Sequence, residues 1–354
     1  MDFILHLPII GLLLQFLAYL AQVMIENGGL IVTVATPIGL GALCGFMNER
    51  SGVVNIGIEG MMIVSAFAAW WVAALVVPIM PATAGPLGIT LPLLTGLIAA
   101  LAAGVLVSAV HAWLSISVRA DQIISGTIIN IAGLGITGYL ALLISQNSPA
   151  TAGNFGSLNF PTGVLDIPVL GWLVSTFLAH GPITLSMLVL VIVLQVLLYR
   201  SRWGLRTRAV GEHPRAAETV GINVIALRYR NVLLGGLLAG LAGAWFTIEY
   251  GNSFQSGMTN GRGFIALAAL IFGRWTPIGA VGAALLFGVA DALGTAIRQT
   301  PPAGDLGVVL TTIPSEVFSA LPYIVTIIVL AGVVGRSTPP AADGQPYERE
   351  TKAV

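Results

Sequence analysis

The residues able to do chemistry in this chain fall into three short polar clusters set in otherwise apolar sequence. Asn48, Glu49, Arg50, Ser51, Asn55 and Glu59 lie in NERSGVVNIGIEGMM, punctuated by Gly52, Gly57 and Gly60. A second cluster holds Asp121, Gln122, Ser125, Thr127 and Asn130. A third holds Glu249, Tyr250, Asn252, Gln255 and Arg262, and leads into GRGFIALAALIFGRW. Amides, hydroxyls and carboxylates of this kind can bind a polar solute by hydrogen bonds without any covalent step. Bond-making chemistry finds no support. His6, His111, His180 and His213 lack metal-ligand spacing, so no metal site is expected. No G-x-S-x-G elbow or Cys/His arrangement supplies a nucleophile. The single cysteine, Cys44, excludes an internal disulfide and reads as a small core residue. The only lysine is Lys352, so no G-x-x-x-x-G-K-[ST] phosphate loop can form; if ATP drives this protein, the ATPase is another polypeptide. The chain therefore reads as a non-enzyme that binds no cofactor of its own.

Position sharpens the roles. Glu59 sits a few residues inside an apolar segment, where a charge at mid-bilayer costs about 2.5–3.5 kcal/mol and less near the interface. It needs a partner, and Arg50 is the nearest basic residue in sequence. The leading reading is a paired hinge, with substrate contact as the alternative. Asp121 reads as an interfacial helix cap, and Asn130, deeper in, as a group lining a path. Asn55, Glu59, Gln122, Asn130 and Phe264 are the candidates for a path or gate, although Phe264 and Trp275 suit interface anchoring equally well.

The elements that must carry these residues are membrane helices. The chain has 354 residues, 56% hydrophobic and 8% charged, with a mean hydropathy of +0.93, whereas soluble domains carry about 25% charged residues. Residues 60–118, 122–165 and 167–199 contain no charged side chain. Each run exceeds the roughly 20 residues of one span and must fold back. Strict alternation is absent, so the spans are helices rather than barrel strands. The fold class expected is an all-α polytopic membrane protein of about ten transmembrane helices. They lie near 4–24, 31–47, 57–77, 91–116, 123–144, 183–199, 231–248, 264–273, 278–293 and 318–334. The first reads as a retained helix rather than a cleaved signal. Residues 169–180 are apolar but too short to cross, and read as an interfacial or re-entrant piece. Residues 294–317 read as a polar, mobile loop. The transmembrane domain covers 1–335, and the polar tail 336–354 is expected to be disordered.

Seven of the fifteen basic residues fall in one loop: Arg200, Arg202, Arg206, Arg208, Arg215, Arg228 and Arg230. Short basic loops stay cytoplasmic. With ten spans both termini join that side, leaving thirteen basic residues inside and only Arg262 and Arg298 outside. Within the loop Pro214 can open a helix, Ala216, Ala217 and Glu218 favour it, and Gly221 can end it. Docking a soluble partner is the leading use for such a helix; anchoring to lipid headgroups is the alternative. Two regions, 48–60 and 257–277, interrupt apolar runs in the two halves of the chain, a transporter feature. Small residues recur every four positions at Gly235, Ala239 and Gly243 and at Gly236, Gly240 and Ala244, which suits close helix packing. No basic tail or aromatic-interleaved patch suggests nucleic acid.

Three blocks resemble the permease subunits of bacterial ATP-binding-cassette importers of the branched-chain amino acid, ribose and nucleoside type. They are PIGLGALCGFMNERSGVVNIGIEGMM at 37–62, RAVGEHPRAAETVGINV at 208–224 and GRGFIALAALIFGRWTPIGA at 261–280. They occur in the family's order, and the apolar layout fits along almost the whole chain. The first block is most similar to the shorter permease type of the nucleoside or simple-sugar branch. The resemblance implies a partner ATPase carrying ATP and Mg, a second, non-identical permease subunit and an extracytoplasmic substrate-binding lipoprotein, in the bacterial cytoplasmic (inner) membrane. It also implies that the segment 208–224 is a coupling helix contacting the ATPase, through Gly211, Glu212, Pro214, Arg215, Ala216, Ala217, Glu218 and Gly221. The expected function is alternating-access import of nucleosides, purine ones first, with simple sugars such as ribose or branched-chain amino acids as alternatives. An ion-coupled secondary transporter, the alternative from another class, needs paired intramembrane ionisable groups, which are scarce here.

Overall fold

A computed structural model describes residues 8–80, 83, 85–146, 151–314, 317–318, 320–328 and 338–348. Regular structure among them is entirely helical: α1 (Pro8–Glu26), α2 (Gly28–Glu49), α3 (Ile58–Val76), α4 (Leu91–Ala112), α5 (Gln122–Ser145), α6 (Pro168–Phe177), α7 (Pro182–Arg200), α8 (Arg202–Glu212), α9 (Pro214–Thr219), α10 (Val224–Ala244), α11 (Arg262–Phe272), α12 (Pro277–Gln299), α13 (Asp305–Thr312) and α14 (Leu321–Ile328), with short turns between them. Helices α4 and α10 each run on into a wider π-helical turn, Trp113–Val118 and Trp245–Tyr250. Seven helices among the described residues are long and apolar enough to cross a membrane: α2, α3, α4 with its extension, α5, α7, α10 with its extension, and α12. They match seven of the ten expected spans. The other three expected spans fall on α1, α11 and α14; residues 4–7 of the first and 329–334 of the tenth lie outside the described residues, and α11 has only eleven residues, so seven spans are counted by length and composition among the described residues.

Helix ends follow local chemistry. Thr90 caps α4 by accepting from Leu93 N at 3.3 Å, with Pro92 in the first turn. Asp121 caps α5, accepting from Ile123 N and Ile124 N at 2.8 and 2.9 Å, the interfacial cap that its position predicts. Asn223 caps α10 through Ala226 N at 3.0 Å. Pro214 opens α9, and Gly221, at φ +85°, takes the left-handed conformation that stops it. The basic stretch before Pro214 is not a plain loop: residues 202–212 make the separate helix α8, capped by Ser201 through Gly204 N at 3.0 Å.

The helices form two compact units. The first contains α1, the start of α2, α6, the second half of α12, α13 and α14. Its apolar core includes Tyr19, Val23, Leu293, Ile297, Leu306, Leu310 and Phe318. Tyr19 also donates to Thr300 O at 2.9 Å, and the Trp172 indole ties α6 to Ile25 O at 3.0 Å. The stretch 294–317, expected as a mobile loop, instead continues α12 to Gln299 and carries α13, because Leu306 and Leu310 bury themselves in this core.

The second unit is organised around α3, α4 and α10, which pack most extensively on one another, with α5 against α3. The small residues of α10 serve packing. A Cβ on Gly104 of α4 would lie 2.3 Å from Gly236 O and 2.9 Å from Gly240 Cα, and one on Gly243 would lie 2.3 Å from Met62 O of α3. Backbone meets backbone here because lipid supplies no hydrophobic drive between helices, so dispersion at close range must do the work. The tail also departs from expectation. Residues 338–348 pack in place, with Pro340, Ala342 and Tyr347 buried. Composition reads them as disordered because they are polar and Pro-rich, but specific hydrogen bonds to buried groups hold them.

Candidate functional site

The chain leaves α2 through a tight turn in which Ser51 Oγ donates to Asn48 O at 2.8 Å. It then runs without regular structure to α3, so its backbone groups need side-chain partners. Val54 N donates to Gln122 Oε1 at 2.7 Å, and Val54 O lies 3.0 Å from His111 Nε2. Gly57 N donates to Asn55 Oδ1 at 2.9 Å. Asn130 spans the start of α3, accepting from Gly60 N at 2.7 Å and donating to Ile56 O at 2.9 Å. The structure thus gathers Asn55, Gln122 and Asn130 around one segment, all engaged with it. Gln122 Nε2 is buried without a hydrogen-bond partner among the described residues. His111, which the sequence gives no reason to single out, joins them through Ser125 Oγ at 3.0 Å.

Glu59 has a partner other than the one expected. Its Oε1 accepts from Thr259 Oγ1 at 2.6 Å and Gly261 N at 2.8 Å, and its Oε2 from Gly263 N at 2.6 Å. The carboxylate therefore caps the N-terminus of α11, where backbone N–H groups and the helix dipole favour an anion. Arg50 instead pairs with Glu212 at 3.6 Å. Close approach makes the cap possible: a Cβ on Gly263 would meet Glu59 N and Cα at 2.6 Å. The same device occurs again in the third polar cluster. Glu249 caps α7, accepting from Ile183 N at 2.5 Å, Thr184 N at 2.9 Å and Thr184 Oγ1 at 2.6 Å. Phe264 follows Gly263 on α11 but faces outward, 47% exposed. Trp275 is no surface anchor; it is buried and donates to Glu49 Oε2 at 2.6 Å. Substituting Glu59 by Gln keeps the shape but aims an amide donor at one set of N–H groups. We expect a loss of about 1–3 kcal/mol, the cost of stranding buried donors, read as a lower thermal midpoint for the purified chain; an unchanged midpoint would remove Glu59 from the cap.

The segment 208–224 forms a second assembly. Around α9, Arg215, Ala216 and Thr219 face outward with the flanking His213, Val220 and Gly221, while Ala217 is buried with Val210, Val224, Leu227 and Tyr347. Gly211 lies under the 48–51 turn, where a Cβ would come within 2.4 Å of Arg50 O. The tail crosses this segment as a strap. Ala342 N donates to Gly211 O at 2.8 Å, Ala341 N to Glu212 Oε2 at 3.2 Å, and Tyr347 Oη to Glu218 Oε2. At its far end Glu348 pairs with Arg119 at 2.7 Å.

Arg228 joins the parts. The residue is 2% exposed, and its guanidinium donates to Ser51 O at 3.0 Å, Gln345 O at 3.0 Å and Ala342 O at 3.5 Å, with the Tyr347 ring centroid 6.0 Å away. Beside it lies Asp343 in the strap. Burial pushes the Asp343 carboxyl above its ordinary pKa, against the opposing pulls of Gly344 N–H and the Arg228 charge. The sequence marks Arg228 only as one of seven loop arginines; nothing in it distinguishes this buried one.

Comparison with known proteins gives a consistent result. Residues 29–330 match the family described as branched-chain amino acid transport system / permease component. The chain is 41% identical to the guanosine ABC transporter permease protein NupQ of Bacillus subtilis, over 88% of this chain and 93% of that protein. It is 37% identical to the nucleoside ABC transporter permease protein NupC of Lactococcus lactis subsp. cremoris, over 92% and 96%. It is 33% identical to the putative glucose ABC transporter permease protein TsgC13 of Haloferax volcanii, over 90% and 96%.

Proposed function

Because the chain belongs to the branched-chain amino acid transport system permease family, we propose that it is the permease subunit of an ATP-driven importer that carries nucleosides. The observation that carries the mechanism is α9, a short helix with one outward face and a braced inner face. A separate ATPase subunit docks on that outward face, with Arg215, Ala216 and the Pro214 turn at the contact. Gly211, Glu212, Ala217 and Glu218 hold the helix to the 48–51 turn, α10 and the strap, and Gly221 ends it, so motion imposed on α9 reaches the transmembrane helices. Nucleotide binding drives alternating access only insofar as the ATPase favours one arrangement over the other. A second, non-identical permease completes the path, and an extracytoplasmic binding lipoprotein delivers the solute. Segment 208–224 and both termini face the cytoplasm in a bacterial inner membrane, as the thirteen-to-two partition of basic residues supports.

Likeness to guanosine and nucleoside permeases supports the nucleoside reading. The physical chemistry agrees with it. Residues 60–118, 122–165 and 167–199 carry no charged side chain, so a neutral solute can pass by hydrogen bonding and apolar contact without a counter-ion. A simple sugar is the second reading, favoured by the Haloferax relative. The test is uptake of radiolabelled guanosine, adenosine, ribose and leucine by cells expressing the complete transporter. We expect uptake of the nucleosides, and a Glu218→Lys permease, which breaks the bond from Tyr347 that braces α9 against the strap, should lower it by about tenfold, the effect of ~1.4 kcal/mol, while solute affinity of the binding protein is unchanged. Uptake of ribose or leucine with neither nucleoside accepted would overturn the substrate, and full uptake by the Glu218 variant would take that residue out of coupling.

A further inference from the structure

A shallow groove of about 270 Å³ lies where α2, α7, α8 and α10 meet. Met47 and Leu194 form its buried floor, and the part-exposed Leu197 and Leu234 form its walls. Trp203 and Arg230 complete the lining. The indole is fixed in place: Trp203 Nε1 donates to Asn231 Oδ1 at 2.9 Å, and Asn231 Nδ2 donates to Thr207 Oγ1 at 3.1 Å. The polar edge of the ring is thereby satisfied within the protein, and what remains for the groove is apolar surface.

Arg230 is the one charged group in the lining. It is exposed and makes no hydrogen bond or ion pair among the described residues. Its surroundings are also basic. Arg200 ends the helix that supplies Leu194 and Leu197, and Arg202 and Arg206 are exposed on the helix that supplies Trp203; none of the three has a carboxylate partner among the described residues. An apolar slot headed by an unpaired guanidinium, with an aromatic ring at its rim, matches an amphiphile with an acyl chain and an anionic head. The planar guanidinium suits phosphate oxygens in particular, an indole suits the boundary between acyl and polar layers, and basic pockets between membrane helices suit acidic headgroups.

We propose that this groove binds one anionic phospholipid, its acyl chain along Met47, Leu194, Leu197 and Leu234 and its phosphate on Arg230. The lipid fastens the short helix α8 to the membrane face of α7 and α10, which gives the cluster of unpaired arginines its counter-charge. This inference needs only that the chain is embedded in a bilayer, and it stands or falls independently of the solute transported.

The test uses the full chain, purified and delipidated, then mixed with equal amounts of phosphatidylglycerol and phosphatidylcholine and examined by native mass spectrometry. The wild type is expected to retain one phosphatidylglycerol in preference to phosphatidylcholine. Arg230→Gln should lower that retention by about fivefold, the effect of one surface arginine on an acidic lipid, and Arg230→Lys should restore most of it. Leu234→Trp, which fills the slot, should reduce retention of both lipids. Glycerol phosphate, a head without a chain, should not displace the bound lipid. Equal retention of the two lipids by the wild type, undiminished phosphatidylglycerol on Arg230→Gln, or displacement by glycerol phosphate would each overturn the proposal. Arg230 is exposed and outside the core, so a folded Arg230→Gln protein is available for the measurement.

Discussion

Replacing Arg228 by Ala is expected to release the tail strap and cost about 3–5 kcal/mol of local stability, the range for deleting one partner of a buried charged network. Three backbone carbonyls, from Ser51, Ala342 and Gln345, lose their donor, and the first and second of these belong to buried residues. Tyr347 also loses the cation above its ring. Arg228→Lys should fail nearly as badly, since one ammonium group cannot copy a planar fork aimed at three acceptors. Hydrogen exchange checks this directly: amides of residues 338–348 and 208–224 should lose protection together in both variants, while α3 and α4 keep theirs. Protection of the strap at the wild-type level would show that Tyr347, Glu348 and Gly211 hold it without Arg228.

The other large effect belongs to the α4–α10 contact. Gly104→Leu should cost about 3 kcal/mol or more, at or beyond the upper range for overpacking. A leucine Cβ would fall 2.3 Å from Gly236 O and 2.9 Å from both Gly240 N and Cα. These are main-chain atoms inside a helix, so no rotamer change can relieve the clash; the two helices must separate. The expected readout is loss of the monodisperse peak in size-exclusion chromatography, with aggregation at a much lower temperature. Gly135→Leu is the matched control. A Cβ there meets nothing within 4 Å, so its effect should stay within about 0.5 kcal/mol. Similar behaviour of the two variants would mean that helix propensity, not interhelical distance, governs these glycines.

Much of this architecture is legible in the sequence because it rests on local or statistical signals. Charge-free runs reveal the long helices, Pro214 and Gly221 bracket α9, Asp121 announces a cap, and the four-residue spacing in α10 marks a packing ridge. What escapes is chemistry whose partner is backbone. Glu59 invites pairing with Arg50 only because a sequence displays side-chain charges and hides amide dipoles; Thr259, Gly261 and Gly263, which neutralise it, lie about two hundred residues away. The strap is hidden for the same reason. Composition scores its prolines and polar residues as unable to form a core, yet its order comes from carbonyls presented to Arg228 and from two acceptors, Gly211 O and Glu212. The count of spans is limited differently: an eleven-residue helix such as α11 is apolar enough but too short for length alone to decide how deep it runs.

The two glutamate caps have a mechanical corollary. A side-chain ion pair can stretch, swing or exchange partners while its ends move apart. A carboxylate seated on the first N–H groups of a helix has no such slack, because those donors point in one direction and stranding an anion in an apolar layer costs several kcal/mol. Glu59 therefore ties α3 to the start of α11, and Glu249 ties the end of α10 to the start of α7. Any rearrangement that keeps these bonds must pivot about the two caps. The start of α11 then travels with α3, and the start of α7 with the end of α10, whatever path the far ends of those helices take.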